Sequence, residues 1–216
     1  MDVKTAIQNG NADELRRLLR EDPLRANELI RWGEDKKCFT HPLHYISDVR
    51  FAGRLSKHAE IPLVDALIEA GAELNFQRDR EDGKKSDTPL IGAASLGAEE
   101  IGIRLLDAGA RPEPRGLFGE TALHWSAMLG EDRLTARLIE GQGMYLLNLK
   151  DEKYKSPPLG WAVHGWSNPP AGNHGRHHEV ITLLVAAGAI VERGLLDSDG
   201  VRNNHAILAA LRPAHP

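Results

Sequence analysis

Two short sequence patterns recur along the chain, and their spacing restricts the fold more than any other feature of the sequence. The first is His-Pro-Leu-His at 41–44, Thr-Pro-Leu-Ile at 88–91, Thr-Ala-Leu-His at 121–124 and Pro-Pro-Leu-Gly at 157–160. The second is Leu-Ile-Glu-Ala-Gly-Ala at 67–72, with variants at 105–110, 138–143 and 183–189. The interval from Leu90 to Leu105 equals that from Leu123 to Leu138. A fixed period of this kind, about 33 residues from one unit to the next, predicts stacked, repeated structural units.

The residues within one period predict two helices joined by a turn. Thr88 belongs to the residue types that cap helix N-termini, and Pro89 follows where a missing N–H has no cost. Ala93 and Ala94 are small enough to let neighbouring helices approach closely. Gly109, after the second leucine pattern, can adopt the left-handed conformation that ends a helix.

These residues resemble the ankyrin repeat, in which Thr-Pro-Leu-His opens an inner helix, Ala-Ala lies in its middle, and an outer helix ends in Leu-Leu and Gly-Ala. The resemblance covers almost the whole chain and is most specific in the third and fourth units. It implies an all-α repeat fold, an ankyrin solenoid of helix–turn–helix units with hairpin connections. We expect a single domain, 1–216, of about five and a half units. Their bounds are 1–27, 28–78, 79–115, 116–152 and 153–194, with a C-terminal half-unit at 195–216.

Two of the units are longer than the pattern requires. The interval from Leu43 to Leu67 equals that from Leu159 to Leu183, and both exceed the interval from Leu90 to Leu105. Both insertions fall between the inner and outer helices, within 48–59 and within 165–175. One interpretation is neutral drift in tolerated loops. The other is an ordered recognition loop, which Trp166 beside two prolines favours.

Composition excludes several classes of function. The chain has 27 Lys and Arg against 31 Asp and Glu, a net charge of −4, which argues against nucleic acid as the main partner. Cys38 is the single cysteine, so an internal disulfide and a thiolate metal site are excluded. No apolar run approaches the roughly 20 residues of a membrane span. We expect a soluble, cytoplasmic protein without a membrane or nucleic-acid partner, monomeric by default.

Catalytic motifs are missing from the sequence. It contains no His-Glu-x-x-His, no phosphate-binding loop ending in Gly-Lys-Ser/Thr, no Gly-x-Gly-x-x-Gly and no Gly-x-Ser-x-Gly. The acidic residues are scattered as expected for a solvated surface. We therefore expect a protein that is not an enzyme, with no catalytic residues and no cofactor.

The resemblance also implies where a partner binds. Ankyrin-type proteins bind other macromolecules on a concave face formed by the hairpin tips and the free surface of the inner helices. Transferred to the third to fifth units of this chain, that face predicts a protein-binding surface in which apolar and aromatic side chains provide the anchor and lysines suit acidic groups of the partner. The predicted binding residues are Lys84, Lys85, Asp87, Leu96, Leu117, Phe118, Met128, Leu129, Tyr154 and His164, with Trp166 from the insertion closing the end of the groove.

A metal- or small-molecule-binding protein is the alternative function. His174, His177 and His178 lie close together in the fifth unit, and with Glu179, and with His164 as a further candidate ligand, they could form a zinc site. The competing interpretation is that His177 and His178 simply begin the outer helix. Trp125 and Trp161 follow the inner-helix leucine of their units, and we expect both to pack in the core.

Overall fold

The computed structural model describes residues 1–32, 38–79, 83, 85–140, 144–170 and 175–212. Helices dominate these residues, and the strands they contain are short. The chain forms two compact units, Met1–Arg111 and Pro112–Pro216. None of the helices in the described ranges has the length and apolar character needed to cross a membrane.

The described part of the first unit contains α-helices, a short 3-10 helix and a two-stranded antiparallel hairpin. Strand β1 pairs with β2 in the register Ile30 to Thr40 and Trp32 to Cys38. The elements are α1 Val3–Gln8, α2 Ala12–Glu21, the 3-10 helix Pro23–Ala26, β1 Ile30–Trp32, β2 Cys38–Thr40, α3 Pro42–Phe51, α4 Lys57–Glu69, α5 Pro89–Ser95 and α6 Glu99–Asp107.

Side-chain caps fix where several of these helices begin. Asn11 Oδ1 accepts the Glu14 N–H at 3.0 Å, and Thr88 Oγ1 accepts the Ile91 N–H at 3.2 Å. Each cap satisfies one of the N–H groups that have no partner inside the helix. The cap predicted at Thr88 and the proline at the first position of α5 are therefore confirmed.

The largest fully buried side chains of the first unit are leucines and isoleucines from its helices. Leu15, Ile46, Leu67, Leu90 and Ile101 are almost completely buried. The two leucines that define the sequence patterns thus supply core contacts.

The second unit contains α7 Ala122–Leu129, α8 Asp132–Ile139, α9 Met144–Leu147, α10 Pro158–Ser167, α11 His177–Ala186, α12 Arg193–Leu196, α13 Asp199–Arg202 and α14 His205–Ala210. Its core includes Leu123, Leu134, Leu159 and Leu184. Thr135 Oγ1 donates a hydrogen bond to Ser126 Oγ at 3.0 Å inside this core, which joins α8 to α7.

Some of the residues predicted as insertions extend helices α3 and α10. Gly97 and Gly130, seven residues after Leu90 and Leu123, have φ values of 66° and 69°. This left-handed conformation ends a helix and favours glycine. The corresponding positions in the longer units are Arg50 and Trp166, and both remain helical because α3 and α10 run to Phe51 and Ser167. Part of each predicted insertion is therefore helix.

The backbones of α7 and α10 approach each other closely. A Cβ at Gly165 would lie 1.9 Å from the carbonyl oxygen of Met128. The turn after α7 meets the start of α11 in the same way, since the Arg176 N–H donates to the Gly130 carbonyl at 2.8 Å. The contact leaves no room for any side chain at Gly165.

Gly165→Ala is expected to lower the free energy of unfolding by about 2 kcal/mol or more, because the new methyl group displaces backbone rather than a flexible side chain. Gly194→Ala is the matched control, since Gly194 is exposed in α12 and a Cβ there meets nothing within 4 Å. The control should be neutral, or stabilising by up to about 1 kcal/mol. Urea denaturation followed by circular dichroism measures both; equal stability of the two variants would contradict the close approach.

Candidate functional site

An open groove in the second unit is lined mainly by aromatic and apolar side chains. Its volume is about 400 Å³, within the range of pockets that hold small ligands or single side chains of a partner. We call it the aromatic groove, and its lining residues are Phe118, Trp125, Met128, Tyr154, Ser156, Gly160, Trp161, His164 and Leu195.

A buried carboxylate, Glu120, shapes one side of the aromatic groove. Its Oε2 accepts the Phe118 N–H at 2.7 Å, and its Oε1 accepts the Trp125 indole N–H at 3.0 Å. Glu120 is only 1% exposed. One side chain thus fixes both the turn that carries Phe118 and the orientation of the Trp125 ring.

A second buried carboxylate, Asp151, shapes the other side. It accepts backbone N–H groups from Lys153 at 2.8 Å, Tyr154 at 2.5 Å and Ser156 at 3.0 Å, and the Trp161 indole N–H at 3.1 Å. Burial by itself raises the pKa of Asp151, but these four hydrogen bonds outweigh it and hold the pKa below its usual value. The carboxylate is therefore ionised at neutral pH, and it ties the turn at 151–156 to α10.

The two turns are joined directly by backbone contacts. The Glu152 N–H donates to the Phe118 carbonyl at 2.7 Å. Arg115 donates from Nε to the Gly119 carbonyl at 2.6 Å and from an Nη to the Lys150 carbonyl at 2.8 Å. A Cβ at Gly119 would lie 2.4 Å from Glu152 Cγ. The two turns that carry Phe118 and Tyr154 are consequently joined into one rigid surface.

The rings of the aromatic groove are packed almost at right angles. Trp161 lies 5.0 Å from Trp125 at an interplanar angle of 83°, and 5.8 Å from Tyr154 at 74°. His124 contacts the same indole at 5.4 Å and 76°. These edge-to-face arrangements are favourable for aromatic pairs, so Trp161 is the common contact of three rings.

A cation lies at the mouth of the aromatic groove. Lys153 Nζ is 4.4 Å from the centroid of the Phe118 ring and 5.0 Å from that of Tyr154. Both distances fall within the range of cation–π attraction. The Tyr154 side chain is 61% exposed, so this edge of the groove is open to solvent.

The structure brings together four of the predicted binding residues: Phe118, Met128, Tyr154 and His164 all line the aromatic groove. Leu117 and Leu129 are half-buried beside its turns and are not lining residues.

Three further predicted binding residues, Lys85, Asp87 and Leu96, lie in the first unit. Lys85 is exposed and pairs with Asp79 at 3.1 Å, while Asp87 and Leu96 are half-buried around α5. Lys84 lies outside the described residues. Lys85, Asp87 and Leu96 are not among the lining residues of the aromatic groove.

The predicted location of Trp166 is wrong. Trp166 lies in α10 rather than in a loop, it is half-buried, and its ring approaches Gly200 in α13. Two helical residues after His164, it points about 200° around the helix axis from that groove residue. It therefore does not close the end of the aromatic groove.

The prediction that Trp125 and Trp161 both pack in the core has a different outcome for each residue. Trp161 is buried at 7% exposure, which confirms the prediction, whereas Trp125 is only half-buried. Both also line the groove, a role that sequence reasoning missed. The acidic residue at the turn preceding each inner helix, Glu120 or Asp151, was the available indication, because a buried carboxylate at that point needs donors such as an indole N–H.

His177 and His178 both contact backbone carbonyl oxygens. His177 is buried, with Nε2 at 2.9 Å from the Met128 carbonyl oxygen and Nδ1 at 3.2 Å from that of Gly175. His178 Nε2 lies 3.2 Å from the Ala206 carbonyl oxygen. His174 lies outside the described residues, and within those residues no three His, Cys, Asp or Glu side chains form a potential metal-binding group. His177 begins α11, as the competing interpretation predicted.

Comparison with models of known protein families gives no match, and comparison with curated proteins gives none either.

Asp151→Asn is expected to lower the free energy of unfolding by about 2–3 kcal/mol, because an amide removes the charge and one of the two acceptor oxygens that hold four donors. Glu152→Gln is the matched control, since Glu152 is exposed one residue away and should change stability by less than about 0.5 kcal/mol. Urea denaturation monitored by tryptophan fluorescence measures both. Equal stability of Asp151→Asn and wild type would show that the carboxylate does not organise the turn.

Stability is expected to fall as the pH drops from about 6.5 towards 4. Burial lowers the pKa of His124 to about 4, and that of His41 in the same way. A histidine whose pKa is lower in the folded state contributes full stability above its unfolded pKa of about 6.5, and loses it as the pH falls. His124→Asn keeps an acceptor for the Thr121 N–H but cannot titrate, so its unfolding free energy should depend less on pH. Denaturation curves from pH 7.5 to 4.5 measure this; identical slopes would contradict the lowered pKa.

Proposed function

We propose that this chain is a non-enzymatic ankyrin-type repeat protein, and that it binds a partner protein through the aromatic groove. The repeat assignment is supported by equivalent positions in successive sequence periods. Leu90 and Leu123 are both buried near the start of an inner helix, and Gly97 and Gly130 both end that helix, with φ values of 66° and 69°. The proposal is more specific than the observed predominance of helix, because it assigns the helices to a solenoid architecture.

The observation that carries the binding function is the solvent-facing aromatic surface of the groove. Phe118, Trp125 and Tyr154 keep part of their side-chain surface exposed to solvent. Hydrogen bonds nevertheless fix the turns that carry Phe118 and Tyr154 and the indole of Trp125. Exposed aromatic clusters on a rigid support are typical of interaction sites, since covering them releases much hydrophobic free energy at little cost in ordering. A groove of about 400 Å³ accepts one or two side chains of a partner rather than a flat surface.

The chemistry of the groove supports binding rather than catalysis. Its two carboxylates, Glu120 and Asp151, are buried and already accept hydrogen bonds from the protein. A general base or a nucleophile has to reach a substrate with a free lone pair. These acids are better suited to support the rings than to act on a ligand.

The net charge of −4 supports a protein partner over nucleic acid. The alternative function, a metal or small-molecule site built from His174, His177 and His178, has less support. Both nitrogens of His177 face backbone carbonyl oxygens, which compete with a metal for the same ring positions.

The test is affinity capture from lysate of the native cell, with the purified protein immobilised and bound proteins quantified by mass spectrometry. Phe118→Ala and Tyr154→Ala should each reduce the captured partner by roughly tenfold, the effect of losing an apolar anchor. Phe51→Ala is the matched control, because Phe51 is 69% exposed in the first unit and outside the groove, and it should capture as wild type.

Circular dichroism must show that the variants remain folded. If a partner is captured equally by wild type and both groove variants but is lost with Phe51→Ala, the binding surface is not the aromatic groove.

A further inference from the structure

The cation at the mouth of the aromatic groove is held by rings rather than by a carboxylate. Lys153 Nζ lies over both Phe118 and Tyr154. Within the part of the chain that the structure describes, Lys153 takes part in no salt bridge, whereas Lys150 nearby pairs with Glu192 at 2.7 Å. The groove therefore already attracts one ammonium group of its own chain.

The arrangement of the rings suits a rounded cation. Because Trp161 is nearly perpendicular to both Trp125 and Tyr154, the ring faces point in different directions. The face of an aromatic ring carries the negative part of its quadrupole, so each ring face that borders the groove attracts an ammonium group. A flat apolar group would instead pack best between parallel rings.

The carboxylates behind the indoles strengthen this preference. Glu120 accepts the Trp125 N–H and Asp151 accepts the Trp161 N–H. A hydrogen bond to an anion shifts electron density into the donor ring and makes its face a better partner for a cation. Both carboxylates are buried, so their negative charge acts on the groove through a medium that screens it less than water does.

From this charge complementarity we infer that the aromatic groove binds an alkylammonium group, presented by a lysine-type side chain of the partner polypeptide, and that Lys153 covers the same place in the unbound protein. The inference rests on the proposed function and specifies the chemistry of the partner's anchor. It differs from the sequence-based expectation of a partner with acidic groups, because a carboxylate in the groove would be repelled by the buried negative charges of Glu120 and Asp151. Lys153 is exposed, so its ammonium can return to water when the partner's cation enters.

The test compares two acetylated and amidated Gly-Lys-Gly peptides titrated into the purified protein. One carries a trimethylated ε-nitrogen, and in the other a carbon atom replaces that nitrogen, which gives the same shape without the charge. Tryptophan fluorescence and the indole N–H signals in the NMR spectrum report binding. The cationic peptide should bind about tenfold more tightly than the neutral one, and Phe118→Ala and Tyr154→Ala should each weaken it severalfold.

Comparing Lys153→Gln with Lys155→Gln distinguishes a lysine that covers the groove from a general effect of positive charge on peptide binding. Both variants remove one positive charge from the same turn, but only Lys153 lies over the groove rings. Lys153→Gln should raise the affinity for the cationic peptide severalfold more than Lys155→Gln does. Equal effects would overturn the covering role of Lys153.

Equal affinity for the two peptides would overturn the cation preference and leave an apolar binding groove, so the proposed function would stand. Failure of the cationic peptide to bind at millimolar concentration would also overturn the inference. The proposed function is decided separately by whether partner capture depends on Phe118 and Tyr154.

Discussion

The structure of the second unit depends on two carboxylates placed where a protein interior normally excludes charge. Asp151 receives three backbone N–H groups and one indole N–H, and Glu120 receives one of each. Burying a carboxylate is costly unless its oxygens are saturated with donors, and removing the donors or the acid leaves the other unsatisfied. The turns, the tryptophans and the acids therefore depend on one another. The aromatic groove exists because a hydrogen bond to a carboxylate fixes the orientation of each indole.

This interdependence also explains why the groove can remain open. Exposed aromatic side chains normally collapse onto one another or onto the core. Here the Trp125 and Trp161 rings are tethered through their N–H groups, and Phe118 and Tyr154 stand on turns joined by the hydrogen bond from the Glu152 N–H to the Phe118 carbonyl. A surface ordered before binding loses little conformational entropy when a partner arrives.

Much of the fold could be predicted from the sequence, because the spacing of Leu90, Leu105, Leu123 and Leu138 encodes helical faces that are buried as expected. The site was predicted less well because its side chains are positioned by long-range hydrogen bonds rather than by periodicity. The pairing of Asp151 with Trp161 spans ten residues and a turn, and no spacing rule of the repeat contains it. The location of Trp166 was predicted wrongly for a different reason. The length of the insertion suggested a loop, whereas the absence of glycine at position 166 lets the helix continue to Ser167.

Trp166, which stands at the position equivalent to Gly130, connects the length of α10 with the surroundings of the groove. α10 is longer than α7, which ends at Gly130, yet Gly165 keeps the backbones of the two helices in contact at Met128. The contact holds Met128 and His164 beside the same opening, and the additional helical residues place Trp166 against Gly200 on the far side of the helix. A glycine at position 166 would end α10 earlier and remove the contact with α13, while the rings held by Glu120 and Asp151 would keep their supports. The groove and the helix extension thus have separate physical causes, although they share one helix.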